Sequence, residues 1–152
     1  MWSGGRNEKA GCSMSDIKQA DAMLRMAHRD LKALTGRLDV DVFADEIFGF
    51  HVQQAVEKSL KAWMCAIGIT YPFTHQINRL LVVLRDAGAV VDAFWWLDEF
   101  TIYAHQARYE EGHLAADAPL ERDHLTQSVA VLLRQIEKEI KARSQASSPE
   151  GL

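Results

Sequence analysis

Residues 43–67 read FADEIFGFHVQQAVEKSLKAWMCAI, and the spacing of their apolar positions decides the fold. Phe48, Val52, Ala55, Val56, Ser59, Trp63 and Ile67 recur with the 3.6-residue period of an α-helix and share one face. Phe43, Ile47 and Phe50 lie on nearly the opposite side at i, i+4 and i+7, and that side then turns polar with Gln53, Gln54, Glu57, Lys58 and Lys61. The start of this helix is therefore expected to be covered on two sides, and its middle on one. Glu57 and Lys61 stand four apart, a favourable pair worth ~0.2–0.5 kcal/mol on an exposed helix.

The same period continues outward in both directions. Ser13 and Asp16 can form a capping box, after which Ile17, Ala20, Leu24, Ala27, Leu31 and Leu34 make one stripe up to Gly36. Beyond Gly68, Tyr71-Pro72-Phe73 breaks the chain and Thr74 is the expected N-cap. Ile77, Leu80, Leu81 and Leu84 then form a stripe that stops at Gly88. Ala93, Trp96, Leu97, Phe100, Ala104 and Ala107 share a further stripe before Gly112. Asp117 and Pro119 open the last helix, with Leu125, Val129, Leu132, Ile136 and Ile140 on its core face.

No stretch alternates as a strand would, so the fold class is all-α. The expected architecture is an up-and-down helical bundle of four long helices plus one shorter helix, at 15–35, 42–67, 75–87, 92–111 and 119–142. Its core should include Leu24, Leu31, Val52, Val56, Trp63, Leu80, Leu84, Trp96, Phe100, Leu132 and Ile136. One domain over 15–143 is expected, with a flexible lead-in at 1–14 and a flexible tail at 144–152 rich in Ser, Gln, Pro and Gly.

Composition narrows the function classes. Apolar residues make up 48% and charged residues 25%, which fits a globular chain, and no apolar run approaches a membrane span. A cytoplasmic location, with no membrane association, is the default expectation. Cys12 and Cys65 match neither a disulfide framework nor a zinc spacing and are read as reduced. A net charge of −4 argues against a broad nucleic-acid surface, so any such contact must be local. No Gly-rich phosphate loop is present, and no cofactor or metal is expected.

One short pattern could carry chemistry. Arg108-Tyr-Glu-Glu-Gly-His113 sets a permanent cation and a titratable imidazole five positions apart across an expected helix end. Arg can hold a phosphodiester with a bidentate fork, and His can move a proton near neutral pH. The plainer alternative has Arg108 capping the last carbonyls of its helix or pairing with Glu110 or Glu111, with His113 in a loop. Glu110-x-x-His113 and Glu121-x-x-His124 superficially match the paired motifs of dimetal helical bundles, but Gly112 and Pro119 put them at helix ends, where inward projection fails. Arg25, His28, Arg29 and Lys32 make a basic stripe best read as solvated. His51 and His75, at the edges of apolar stripes, read as structural. Trp63 and Trp96 read as core, and Trp95 as partly exposed.

Phe50-His51-x-Gln53-Gln54-Ala55-x-Glu57-Lys58-x-Leu60-Lys61-Ala62, followed by Thr74-His75 and then Ala107-Arg108-Tyr109, resembles the HEPN domain, with similar helix order over about 15–142. The resemblance implies a helical bundle, often a homodimer, paired with a small nucleotidyltransferase as toxin and antitoxin. In its active branches an R-x4–6-H motif makes a metal-independent ribonuclease, which would map onto Arg108 and His113 here. Gln53, Glu57, Lys58, Lys61 and Tyr109 are then the expected binding residues, for RNA or a nucleotide. Tyr109 stands where those nucleases often carry Asn, Asp or His, and the R-Y form leaves open a non-catalytic nucleotide-binding or partner-docking module. A purely structural bundle is the third alternative.

Overall fold

The computed structural model describes residues 14–36, 39–104 and 119–146. These form α1 (Met14–Thr35), α2 (Asp45–Ala66), α3 (Ile77–Asp86), a 3-10 helix (Asp92–Ala104) and α4 (Arg122–Ala146), with no strand among them. The expected lead-in, with Cys12 and Ser13, falls outside the described residues, as does the tail from residue 147. The last helix continues past the expected end at 142.

α2 is the axis of the bundle, and from Ala55 to Ala66 every residue except Lys58 is buried. α1 runs antiparallel to it: Asp30, late in α1, meets His51 and Lys58, whereas Asp16 and Gln19, early in α1, share a cavity with Cys65 near the end of α2. α4 runs the same way as α2. Arg122 at its start bonds Asp45, and Gln135, Glu139 and Arg143 line a cavity with Trp63 and Ile67. The loop after α2 turns back along it and brings His75 to Gln53 and Glu57. That return covers the polar side of α2, which is buried and not solvated as its sequence suggested.

Two glycines stop helices as their positions predict. At Gly68 (φ 77°) and Gly88 (φ 95°) the left-handed conformation lets the glycine N–H reach Cys65 O and Arg85 O. The next N–H, of Ile69 or Ala89, reaches Met64 O or Leu84 O. Both ends are Schellman motifs, which need a residue without Cβ strain. Thr74 is not the N-cap of α3. Its Oγ1 accepts the Gln76 N–H at 3.1 Å in a local turn, and the helix starts at Ile77. The first N–H groups of α3 are capped from the 3-10 helix, Ile77 by Thr101 Oγ1 (3.1 Å) and Asn78 by Asp98 Oδ1 (2.9 Å).

The segment 92–104 departs most from expectation. With three residues per turn, positions i, i+3 and i+6 eclipse, so Phe94, Leu97, Phe100 and Tyr103 form the buried row. Trp96, expected in the core from a 3.6-residue period, is 40% exposed and stacks on His124 with ring centroids 6.1 Å apart. Trp95 is half-buried under Arg85, whose guanidinium lies 5.6 Å from its ring. The expected continuation of this helix to Glu111 lies outside the described residues.

The remaining expected core residues are buried, except Leu31, which is half-buried against the core. Trp63 meets Phe94 edge to face at 6.5 Å. At the start of α2, Arg122 from the start of α4 lies over Phe48 (5.1 Å) and donates to Phe43 O (2.5 Å) and Asp45 Oδ1 (2.8 Å). Phe43 and Phe50 are half-buried and Ile47 stays exposed.

The 3-10 winding separates two neighbouring aromatics by their cost of removal. Phe100→Ala should destabilise by about 3–5 kcal/mol, as a fully buried ring does, whereas Trp96→Ala should cost about 1 kcal/mol or less. Urea unfolding of the two variants measures the difference, and equal losses would contradict the winding.

Candidate functional site

The polar side of α2 is an interior network centred on one carboxylate. Gln53, Glu57 and Lys61 follow one another at four-residue spacing, so they stack along one line of the helix, and all three are buried. Lys61 Nζ donates to Glu57 Oε1 at 2.8 Å and Gln53 Nε2 donates to Glu57 Oε2 at 2.6 Å. His75 Nδ1 lies 3.1 Å from both carboxylate oxygens. Gln53 Nε2 also donates to the backbone oxygen of His75 (3.2 Å), and Gln54 donates to Gln53 Oε1 (2.7 Å). Lys61 sits 5.2 Å from the centre of the Tyr71 ring.

Burial alone would push the Glu57 carboxyl up. Hydrogen bonds from Lys61, Gln53 and His75, with the Lys61 charge, outweigh that cost and hold it below the ordinary glutamate range. Glu57 is thus an ionised interior group with all its charge answered. The imidazole of His75 is half exposed, so one edge is fixed by the carboxylate while the ring borders solvent.

A second carboxylate has the same pattern on the side of α2 that faces α1. Asp30 receives Lys58 Nζ at 2.6 Å and lies 3.1 Å from His51 Nδ1. Sequence reasoning missed Asp30, although a signal was available. It falls three residues after Ala27 and four before Leu34 on the apolar stripe of α1, and a charge on a buried stripe requires partners. Of the basic stripe on α1, Arg25, Arg29 and Lys32 are exposed, and His28 pairs with Glu137 of α4.

Arg108, Tyr109 and His113 lie outside the described residues, as does Glu110. The residues that flank their segment are well anchored. Tyr103 packs closely against Gly49 of α2, where an added Cβ would come within 2.5 Å of the ring. Burial, with the carboxylates of Asp45, Glu46 and Glu99, pushes its phenol above the usual tyrosine range. On the far side, the Leu120 N–H donates to Asp45 Oδ2 at 3.2 Å. Tyr103 and Leu120 are thus held at Gly49 and Asp45, about one to three turns along α2 from Gln53 and Glu57.

Of the five expected binding residues, the network brings together three, Gln53, Glu57 and Lys61; Lys58 belongs to the separate Asp30 cluster, and Tyr109 lies outside the described residues. Among the described residues no group of three His, Cys, Asp or Glu is placed to hold a metal ion, and no helix is long and apolar enough to cross a membrane.

A family model described as the HEPN domain matches residues 20–131, well over half of the chain. Neither the curated proteins nor the solved structures yield a match.

The Glu57 network has a pH signature. Because the folded carboxyl titrates below its unfolded value of about 4.3, its contribution to stability is complete above that value. It is lost as pH falls through the lower folded pKa. Glu57→Gln should remove this part of the acid sensitivity. Glu57→Ala, which strands the buried Lys61 ammonium, should cost about 3–5 kcal/mol at neutral pH. Denaturant midpoints across acid and neutral pH measure both effects.

Proposed function

The chain belongs to the HEPN domain family, and we propose that it is the HEPN half of a toxin–antitoxin pair, a metal-independent endoribonuclease whose antitoxin is a nucleotidyltransferase. The observation that supports this reading is the anchoring of Tyr103 on Gly49 and of Leu120 on Asp45. Tyr103 and Leu120, the anchored residues that precede and follow Arg108 and His113 in sequence, are both held on the first half of α2, the helix that carries the Glu57 network.

In this reading Arg108 binds the scissile phosphate and stabilises the charge that develops on it. The ribose 2′-oxygen attacks phosphorus, His113 takes the 2′-hydroxyl proton, and the bond to the 5′-oxygen breaks as that oxygen receives a proton. The products are a 2′,3′-cyclic phosphate and a 5′-hydroxyl. RNA supplies its own nucleophile, so the protein has only to orient it and handle protons and charge. In a homodimer two Arg/His pairs can share one cleft, the second His113 acting as the acid. Glu57 and Lys61, locked together, brace the wall of that cleft instead of contacting a partner, because their side chains are buried.

The alternative, a non-catalytic nucleotide-binding or docking module, loses part of its basis. The polar stripe of α2, which carries four of the five expected binding residues, is largely interior. Only Gln54 and Lys58 of that stripe are half exposed, and both are engaged in hydrogen bonds.

Purified protein should cleave single-stranded RNA in excess EDTA, and Arg108→Ala and His113→Ala should each lose that cleavage with folding unchanged. Failure of the partner-free wild type to cleave, or full activity without His113, would sink the ribonuclease reading in favour of the binding module. The homodimer is tested separately at Ile47, which is 46% exposed beside half-buried Phe43 and Phe50. Ile47→Asp should turn a dimer into a monomer in light scattering, and a monomeric wild type would remove the dimer from the scheme.

A further inference from the structure

The loop between α2 and α3 holds one side chain that its own anchoring does not use. The ring of Phe73 is fully exposed, at 105% relative accessibility. A lone exposed phenylalanine is ordinary on a floppy loop, but this loop is fixed on both sides of the ring. The Thr74 N–H donates to Pro72 O (2.9 Å) and the Gln76 N–H to Thr74 Oγ1 (3.1 Å). The backbone oxygen of His75 is held by Gln53, its imidazole by Glu57, and Tyr71 lies against Lys61.

Phe73 stands on the wall of a cavity of about 230 Å³ that also draws on Asp16, Gln19, Cys65, Ile69 and Tyr71. The exposed residues that follow it, His75, Gln76, Asn78 and Arg79, all carry hydrogen-bonding side chains. This composition decides between two kinds of partner. A protein interface builds its core from contiguous apolar surface. A single ring amid donors and acceptors, beside a cavity with polar and aromatic walls, suits one unstacked nucleobase, which offers a π-face and a hydrogen-bonding edge together.

We propose that this cavity takes a base of single-stranded RNA, stacked on Phe73 with its polar edge toward the Gln19 and Thr70 side. The inference rests on the RNA reading above and deepens it, adding a base contact remote in sequence from Arg108 and His113. The loop is already ordered, so stacking spends little conformational entropy, and a negatively charged chain can thereby bind RNA locally without a basic surface.

The test uses the full chain and a short fluorescein-labelled single-stranded RNA, 2′-O-methylated throughout so that it cannot be cut by 2′-oxygen attack. Fluorescence anisotropy should show binding that Phe73→Ala and Phe73→Leu both weaken roughly tenfold, the scale of one base–aromatic stack, and that Phe73→Trp retains. Circular dichroism of the variants should match the wild type, since the ring packs on nothing whose loss would unfold the chain. Unchanged affinity in Phe73→Ala overturns the proposal, as does full affinity in Phe73→Leu, which would mean apolar contact without stacking. Cleavage of unmodified RNA with binding indifferent to Phe73 would leave the ribonuclease reading standing and this inference fallen. Phe73-dependent binding without cleavage would do the reverse, and a wild type that neither binds nor cuts RNA overturns both.

Discussion

The charge on Glu57 is the constraint from which the geometry of this half of the molecule follows. An interior carboxylate needs more donors than its own helix can offer. The helix supplies Lys61 and Gln53, one turn to either side. The third donor, His75, has to come from elsewhere, and that requires the loop after Gly68 to run back along α2 instead of away from it. The start of α3 is thereby placed, and its leading N–H groups find Thr101 and Asp98 of the 3-10 helix. Tyr103, two residues after Thr101, is then pressed onto Gly49. A buried ion pair adds little net stability over a hydrophobic replacement, because desolvation offsets its attraction. Its contribution visible here is geometric: one carboxylate gathers Lys61, Gln53 and His75 at a single point of α2.

Much of the fold is legible in the sequence because it depends on period and on backbone stops. The stripes of α1, α3 and α4 bury the residues their spacing predicts apart from half-buried Leu31, and Gly68 and Gly88 end helices through left-handed turns that their lack of a side chain permits. What was not legible depends on tertiary contacts. Thr74 has the chemistry of an N-cap, but caps supplied across space by Thr101 and Asp98 move the helix start to Ile77. Trp96 and Phe94 are equally apolar, and only the tighter winding of 92–104 decides which one faces inward. The Gln53–Glu57–Lys61 line reads as a solvated face in isolation, since nothing local announces that a loop twenty residues on will cover it. Of the expected site, Gln53, Glu57 and Lys61 are brought together and Lys58 turns to Asp30 instead, whereas Arg108, Tyr109 and His113 lie outside the described residues.

The polar run of α2 on which the resemblance rests has a physical reading. Gln53 holds Glu57 and the backbone of His75, Gln54 holds Gln53, Lys58 holds Asp30, and Lys61 holds Glu57. Each polar position of the run is committed to an internal partner. Two carboxylates, Asp30 and Glu57, each gather one lysine and one histidine, on the sides of α2 that face α1 and the return loop. Such a motif specifies how a polar helix can sit at the centre of a bundle, and chains sharing it share a scaffold before they share a reaction. The chemistry that distinguishes one member from another then falls to side chains that the scaffold does not consume. In this chain the polar run of α2 is engaged internally, which leaves side chains at the edges of the scaffold, such as Phe73 on the loop that Glu57 holds in place, to face outward.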